Sequence, residues 1–222
     1  MKRAVLTILL CVPAFAIIAQ EPKAEVVLTG LYDKFTTDEL GNVYVVKGDV
    51  LELYDPQGRR LARNSVKTFG RITAIDAFYS LKPVIFSSEQ RQLAMLDNTL
   101  SVQGNVIDLP RNGWPWVSQV CASVQNALWF YDEREVALTR VDAQLKPLAS
   151  TGRLDQLLGH APRPSQLVES DGLLYLVDPG SGVHVFDLFG AYLRTLPVVK
   201  ATRIQVRGAS VYSVHDGSFW MY

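Results

Sequence analysis

The chain is poor in the residues that most often carry chemistry. Two cysteines and three histidines occur in 222 residues. Cys11 lies in the apolar N-terminal run and Cys121 in a strand-like stretch, so no disulfide framework is available. A lone cysteine flanked by Val120 and Ala122 reads as a small buried hydrophobe rather than a reactive thiol. His160, His184 and His215 show neither His-x-x-x-His nor Cys-x-x-Cys spacing and read as isolated side chains. A zinc site needs three or four convergent ligands, so no metal ligand is assigned. There is no excess of either charge, with 22 basic and 22 acidic residues. The electrostatic footprint of a nucleic-acid binder is therefore missing. Phosphate loops, Rossmann glycines, a Gly-x-Ser-x-Gly elbow and a Cys-x-x-Cys-His haem motif do not occur. No catalytic residue and no cofactor is assigned. Helical periodicity is scarce as well, and Leu154–Leu158 is its one candidate, ended by Gly159, Pro162 and Pro164.

The N-terminus has the build of an export signal. Lys2 and Arg3 precede an apolar run from Ala4 to Ile18, and Ala19 is a small residue suited to cleavage. The run is short for a membrane span, and no stop-transfer pattern follows. We expect residues 1–19 to be a cleaved signal peptide, leaving no transmembrane segment. Its removal takes two of the 22 basic residues and none of the 22 acidic ones, for a formal charge of −2. The expected location is the periplasm, the cell envelope or the exterior.

What is present is a repeat. Short strand patterns alternate with turn clusters along residues 20–222. The centre of the second strand of each unit falls at Tyr44, Ile85, Phe130, Tyr175 and Tyr212, spaced 41, 45, 45 and 37 residues. An aspartate follows the third strand at Asp55, Asp97, Asp142 and Asp187, spaced 42, 45 and 45 residues. Several strands per unit at this period are the signature of propeller blades. Central strands such as Leu173–Val177 and Ala127–Tyr131 are apolar on both sides, so each sheet needs a neighbour on each face, which a ring supplies. The expected fold is all-β, a five-bladed β-propeller with four strands per blade. The blades cover about 31–66, 70–109, 114–151, 165–198 and 201–222, and a strand at Glu25–Thr29 completes the last. An incomplete six-bladed ring is the alternative.

The stretch DGLLYLVDPGSGVHVFDLFGAYLRTLP, residues 171–197, resembles the repeat of NHL-like and TolB-like propellers. Their blades read roughly as Gly-x-hydrophobic-Tyr-hydrophobic-x-Asp, then hydrophobic-x-Val-Phe-Asp-x-x-Gly. The chain is also similar to small exported bacterial propellers of unknown function. The likeness extends to residues 41–58 and weakens in the second and third units, where Leu100 and Leu145 replace the turn glycines Gly58 and Gly190. It carries no catalytic motif, and a shared fold licenses no activity.

Two functional expectations follow. The first is a non-enzymatic protein-binding or scaffold module of the envelope, with a protein partner. The second is a lactonase-like propeller hydrolase holding a divalent metal in the central channel. That enzyme would draw carboxylates and amides from first-strand positions, which we place at Thr36-Thr37-Asp38, Thr73 and Asp76, Ser118-Gln119, Ser165-Gln166, and Thr202 and Gln205. The recurring aspartates read as a fold device. The loop Pro110–Trp116 stands apart: Trp114 and Trp116 flank a proline, as either an aromatic docking platform or a plug between blades.

Overall fold

A computed structural model describes residues 28–65, 67–77 and 79–222. Its strands form five antiparallel sheets in chain order, the blades of a five-bladed propeller. The first blade is β1 (Lys34–Thr37), β2 (Val43–Lys47), β3 (Val50–Tyr54) and β4 (Arg60–Ser65). The second is β5 (Ala74–Asp76), β6 (Val84–Ser87), β7 (Gln92–Leu96) and β8 (Val102–Asp108). The third is β9 (Val117–Ser123), β10 (Ala127–Asp132), β11 (Ala137–Val141) and β12 (Pro147–Ser150). The fourth is β13 (Gln166–Ser170), β14 (Leu173–Asp178), β15 (Gly182–Asp187) and β16 (Tyr192–Leu196). The fifth contains β17 (Ile204–Arg207), β18 (Ser210–His215) and β19 (Ser218–Met221), three strands among the described residues. The expected signal peptide, and residues 25–27 of the strand expected to complete this last blade, lie outside the described residues. The helical turn expected at Leu154–Leu158 is present as α1.

The recurring aspartate builds one face of the ring. Asp97 Oδ1 accepts from the backbone N–H groups of Thr99 and Ser101, while the Asp97 carbonyl accepts from Leu100 N–H. Asp55, Asp142 and Asp187 repeat these bonds two, three and four residues on. This is an Asx turn, in which the carboxylate substitutes for a backbone acceptor and fixes the reversal. The third residue after each aspartate takes a left-handed conformation, with φ of +77° at Gly58 and +86° at Gly190. Leu100 and Leu145 adopt it too, at +65° and +60°. Both leucines are buried, so apolar packing offsets the steric cost of about 1–2 kcal/mol for a left-handed residue. The two departures from the repeat thus change the residue and keep the backbone. At Gly190 glycine is required by space as well, because a Cβ there would sit 2.8 Å from the backbone of Ser150.

Asp38 corrects an expectation. The sequence puts it among first-strand channel positions, but it forms a fifth copy of the same turn. Its Oδ1 accepts from Leu40 and Asn42 N–H, and its Oδ2 accepts from the Asn42 side chain. It therefore lies between β1 and β2, with its oxygens facing the turn.

Adjacent blades share apolar cores. Tyr44, Leu51 and Leu53 meet Ile85, Leu96 and Leu100 between the first two. Phe86 and Leu93 meet Leu128 and Phe130 in the next gap. Trp129 and Tyr131 meet Leu174 and Phe186, and Tyr175 and Val185 meet Ile204 and Val211. Among the described residues, no buried apolar cluster joins the fifth blade to the first. That joint is polar: Gln205 and Arg207 side chains donate to Thr37 Oγ1, and Arg203 donates to the Phe35 carbonyl. Beside it lies a cavity of about 280 Å³ whose walls include Phe35, Tyr212 and Phe219.

Two measurements test this frame. Trp129 is fully buried and its indole N–H donates to Glu169 Oε2 at 2.8 Å. Trp129→Ala should cost about 3–5 kcal/mol in urea unfolding, and a loss under about 1 kcal/mol contradicts its place in the core. The Thr99 hydroxyl, with the N–H groups of Ser101 and Thr99, holds the Asp97 carboxyl below the ordinary value of 3.8. Its contribution is complete above the unfolded value and is lost as pH falls through the lower folded value. Asp97→Asn should therefore flatten the decline of the urea midpoint below about pH 4, with little change in slope near pH 7.

Candidate functional site

The alternating strand directions sort the connections onto two faces. The Asx turns occupy one. The other carries the longer links from each outer strand to the next inner strand, with the tips between second and third strands. Trp114, Trp116, α1, His160 and the tip after Asp178 all belong to this second face.

The link between the second and third blades is tightly held. The Leu109 carbonyl accepts from Asn112 and Trp114 N–H, and Asp108 Oδ1 accepts from Arg111 N–H. Gly113 turns the chain at φ +87°. The two tryptophans then separate in role. Trp114 stands edge-on to Phe130, ring centroids 5.3 Å apart, and its indole N–H donates to the Leu145 carbonyl. It fills the gap between blades. Trp116 remains 43% exposed, with the Arg91 guanidinium 5.4 Å from its ring centroid. A cation over an aromatic face is an attractive arrangement that also holds the ring in place. Beside it opens a cleft of about 340 Å³, with Ser88, Arg91, Ser118, Gln119 and Glu133 in its walls.

The inner strands enclose a channel cavity of about 100 Å³. Thr36, Thr37, Thr73, Asp76, Gln119, Ser165, Gln166 and Gln205 line it, as the sequence expects, whereas Ser118 lies in the cleft beside Trp116 and Thr202 in the cavity between the fifth and first blades. Several of these polar groups join one blade to the next. Asp76 Oδ2 accepts from Ala122 N–H, Gln166 Oε1 accepts from Ile204 N–H, and Gln119 donates to the Pro164 carbonyl. Glu169, which sequence reasoning missed, accepts from Val124 N–H and from the Trp129 indole. Its available signal was a single acidic residue within the strand pattern Gln166–Ser170. The channel also receives Lys34, Arg203 and Arg207. Burial lowers the proton affinity of the Lys34 amine, and Arg203 and Arg71 push it the same way against Asp33. Burial likewise lowers that of Arg203.

The histidines are not all isolated. The structure brings the rings of His160 and His184 to 5.9 Å between centroids, beside Asp178. Burial lowers the proton affinity of His184, and His160 adds to this while Asp178 opposes it. Burial alone would raise the Asp178 carboxyl. The Ser181 hydroxyl, the N–H groups of Gly180 and Arg163, and His184 outweigh it and hold the group below its ordinary value. His215 lies away from this group, stacked on Trp220.

Neither a family model nor a curated protein matches the chain. Solved structures do. A streptogramin B lyase is 14% identical with a TM-score of 0.57, over 86% of this chain and 67% of that one. A catalytically inactive virginiamycin B lyase from Staphylococcus aureus, solved with quinupristin, is 10% identical with a TM-score of 0.55, over 85% and 68%. The Pan2 WD40 domain of Neurospora crassa is 8% identical with a TM-score of 0.57, over 87% and 60%. At such identities the likeness is one of fold. It places this chain among β-propeller repeat proteins.

Cys121 supplies a check on the interior. Burial raises its thiol well above the ordinary value, with Asp76 and Glu169 adding to the effect. In a Cys11→Ser background, native protein should leave a thiol-specific chromogenic reagent unreacted, and one equivalent should react in denaturant. Rapid reaction in native buffer would contradict the packing of β9.

Proposed function

We propose that this chain is an exported, non-enzymatic propeller that binds a protein partner of the cell envelope through the face carrying Trp116. The observation that carries this reading is the exposed Trp116 ring beneath Arg91, on a loop immobilised by its own hydrogen bonds and by Trp114. Tryptophan and arginine dominate the energetics of protein interfaces, and a fixed loop loses little conformational freedom on docking. Export rests on the charged and apolar pattern of residues 1–19. Among the described residues, no helix is long and apolar enough to cross a membrane.

The alternative of a hydrolase with a divalent metal in the channel draws less support. Asp38 closes a turn, while Asp76 and Glu169 each accept backbone N–H bonds from a neighbouring blade. Among the described residues, the channel carboxylates do not come together as a group of three ligand side chains, and a calcium-class cation must be held by several oxygens at once.

The test is capture from a native envelope fraction with purified protein as bait. Three variants are run beside the parent: Trp116→Ala, Arg91→Ala and, on the opposite face, Gln144→Ala. The parent and Gln144→Ala should retain the same partner. Trp116→Ala should weaken its binding by about 30-fold, roughly the 2 kcal/mol of an interface hot spot, with the melting temperature unchanged. Equal capture by all four proteins would remove this face from the reading.

A further inference from the structure

We propose that His160, Asp178 and His184 form a binding site for a divalent first-row transition ion of the zinc class, with one coordination position left to water. The three side chains come from different places. His160 lies in the link after α1, Asp178 ends β14, and His184 is the third residue of β15. The β14–β15 reversal and the fold-back of the 151–165 link bring one ligand atom of each within 4.8 Å of the others. His160 Nε2 stands 3.9 Å from Asp178 Oδ2. Ligands bound tetrahedrally at about 2.0–2.1 Å lie about 3.3 Å apart, so closure needs side-chain rotation of about an ångström. His160 has room for it, because its side chain is 44% exposed. Asp178 and His184 are buried and form the fixed floor.

The surroundings of His160 have the form that metal ligation uses, and those of His184 reach it when the Ser181 and Thr195 hydroxyls turn. His160 Nδ1 is 3.1 Å from the Leu158 carbonyl, and His184 Nδ1 is 2.8 Å from Thr195 Oγ1. The Leu158 carbonyl can only accept, so it fixes the proton of His160 on Nδ1 and leaves the Nε2 lone pair for an ion, whereas Thr195 Oγ1 can accept from His184 Nδ1–H once the ion replaces the Ser181 hydroxyl at Nε2. His184 Nε2 and Asp178 Oδ2 already converge on one atom, the Ser181 hydroxyl oxygen, at 2.9 and 2.7 Å. That hydroxyl bridges the two ligand positions from within the tip. The Gly180 N–H meanwhile holds Asp178 Oδ1 at 2.8 Å. Two imidazoles and a carboxylate suit zinc and its neighbours, and are too few and too rich in nitrogen for calcium. Entry is from solvent past His160, on the face that carries the long links. Bound there, the ion would tie the 151–165 link to the β14–β15 tip.

Zinc is the probe for the test, by calorimetric titration and by thermal melting with zinc or chelator, on the parent and on His160→Ala. This variant removes the exposed ligand and should melt with the parent in chelator. The parent should bind one equivalent of zinc saturably and melt higher with it. His160→Ala should lose at least about 100-fold in affinity, since even outer partners of ligands cost 10–100-fold, and should lose the thermal shift. Cobalt in place of zinc should give visible absorption bands in the parent that are absent from the variant. Absence of saturable zinc binding by the parent overturns the site. So does zinc binding by His160→Ala within about threefold of the parent, which would put the ion elsewhere on the chain.

Discussion

One carboxylate oxygen, accepting two backbone N–H bonds two and four residues ahead of it, is the constraint on which this propeller rests. It reverses the chain after the third strand of four blades and after the first strand of the opening one. Each reversal fixes where the next strand begins and so which of its residues face the neighbouring blade. A slip of one residue would send the buried set to the wrong face. The turn is local, needing no contact with another blade. Four copies at a regular interval, with Asp38 as a second one in the first blade, let the first four sheets define themselves before the ring closes.

Stability then comes from the gaps between sheets. Large side chains such as Trp129, Phe130 and Phe186 are wholly buried there, and polar groups of the inner strands cross from blade to blade. This division leaves the opposite face with few structural duties. Its links vary in length and composition: a 3-10 turn with two tryptophans after the second blade, and a short helix with a histidine after the third. Binding chemistry can accumulate on such links because the frame beneath them is set by other residues.

Much of the frame was legible in the sequence, because strand alternation and turn chemistry are local signals. The large apolar or aromatic centres of the second strands located every blade, and the aspartate register located the first four. Leu100 and Leu145 were harder to read. Their left-handed backbone follows from burial against neighbouring strands, which no local rule reports. Asp38 looked like a channel residue because it follows two threonines that do line the channel, and only the hydrogen bonds of its turn show its role. The two tryptophans look alike in the chain, and their different burial depends on Phe130 and the Leu145 carbonyl, far along the sequence. His160 and His184 share no motif spacing. They meet because a hairpin tip and a link between blades fold toward each other, a tertiary event.

The ring has four greasy joints and, among the described residues, one held by polar side-chain hydrogen bonds from Arg203 and β17 to β1. Apolar seams resist shear because parting them wets hydrocarbon. A seam of polar bonds gives little such resistance, since water replaces each bond it takes away. Among the described residues, the circle accordingly has its weakest joint there. Strain on the ring would gather there, and a blade could be gained or shed at that point over evolutionary time without disturbing the packing of the other four joints.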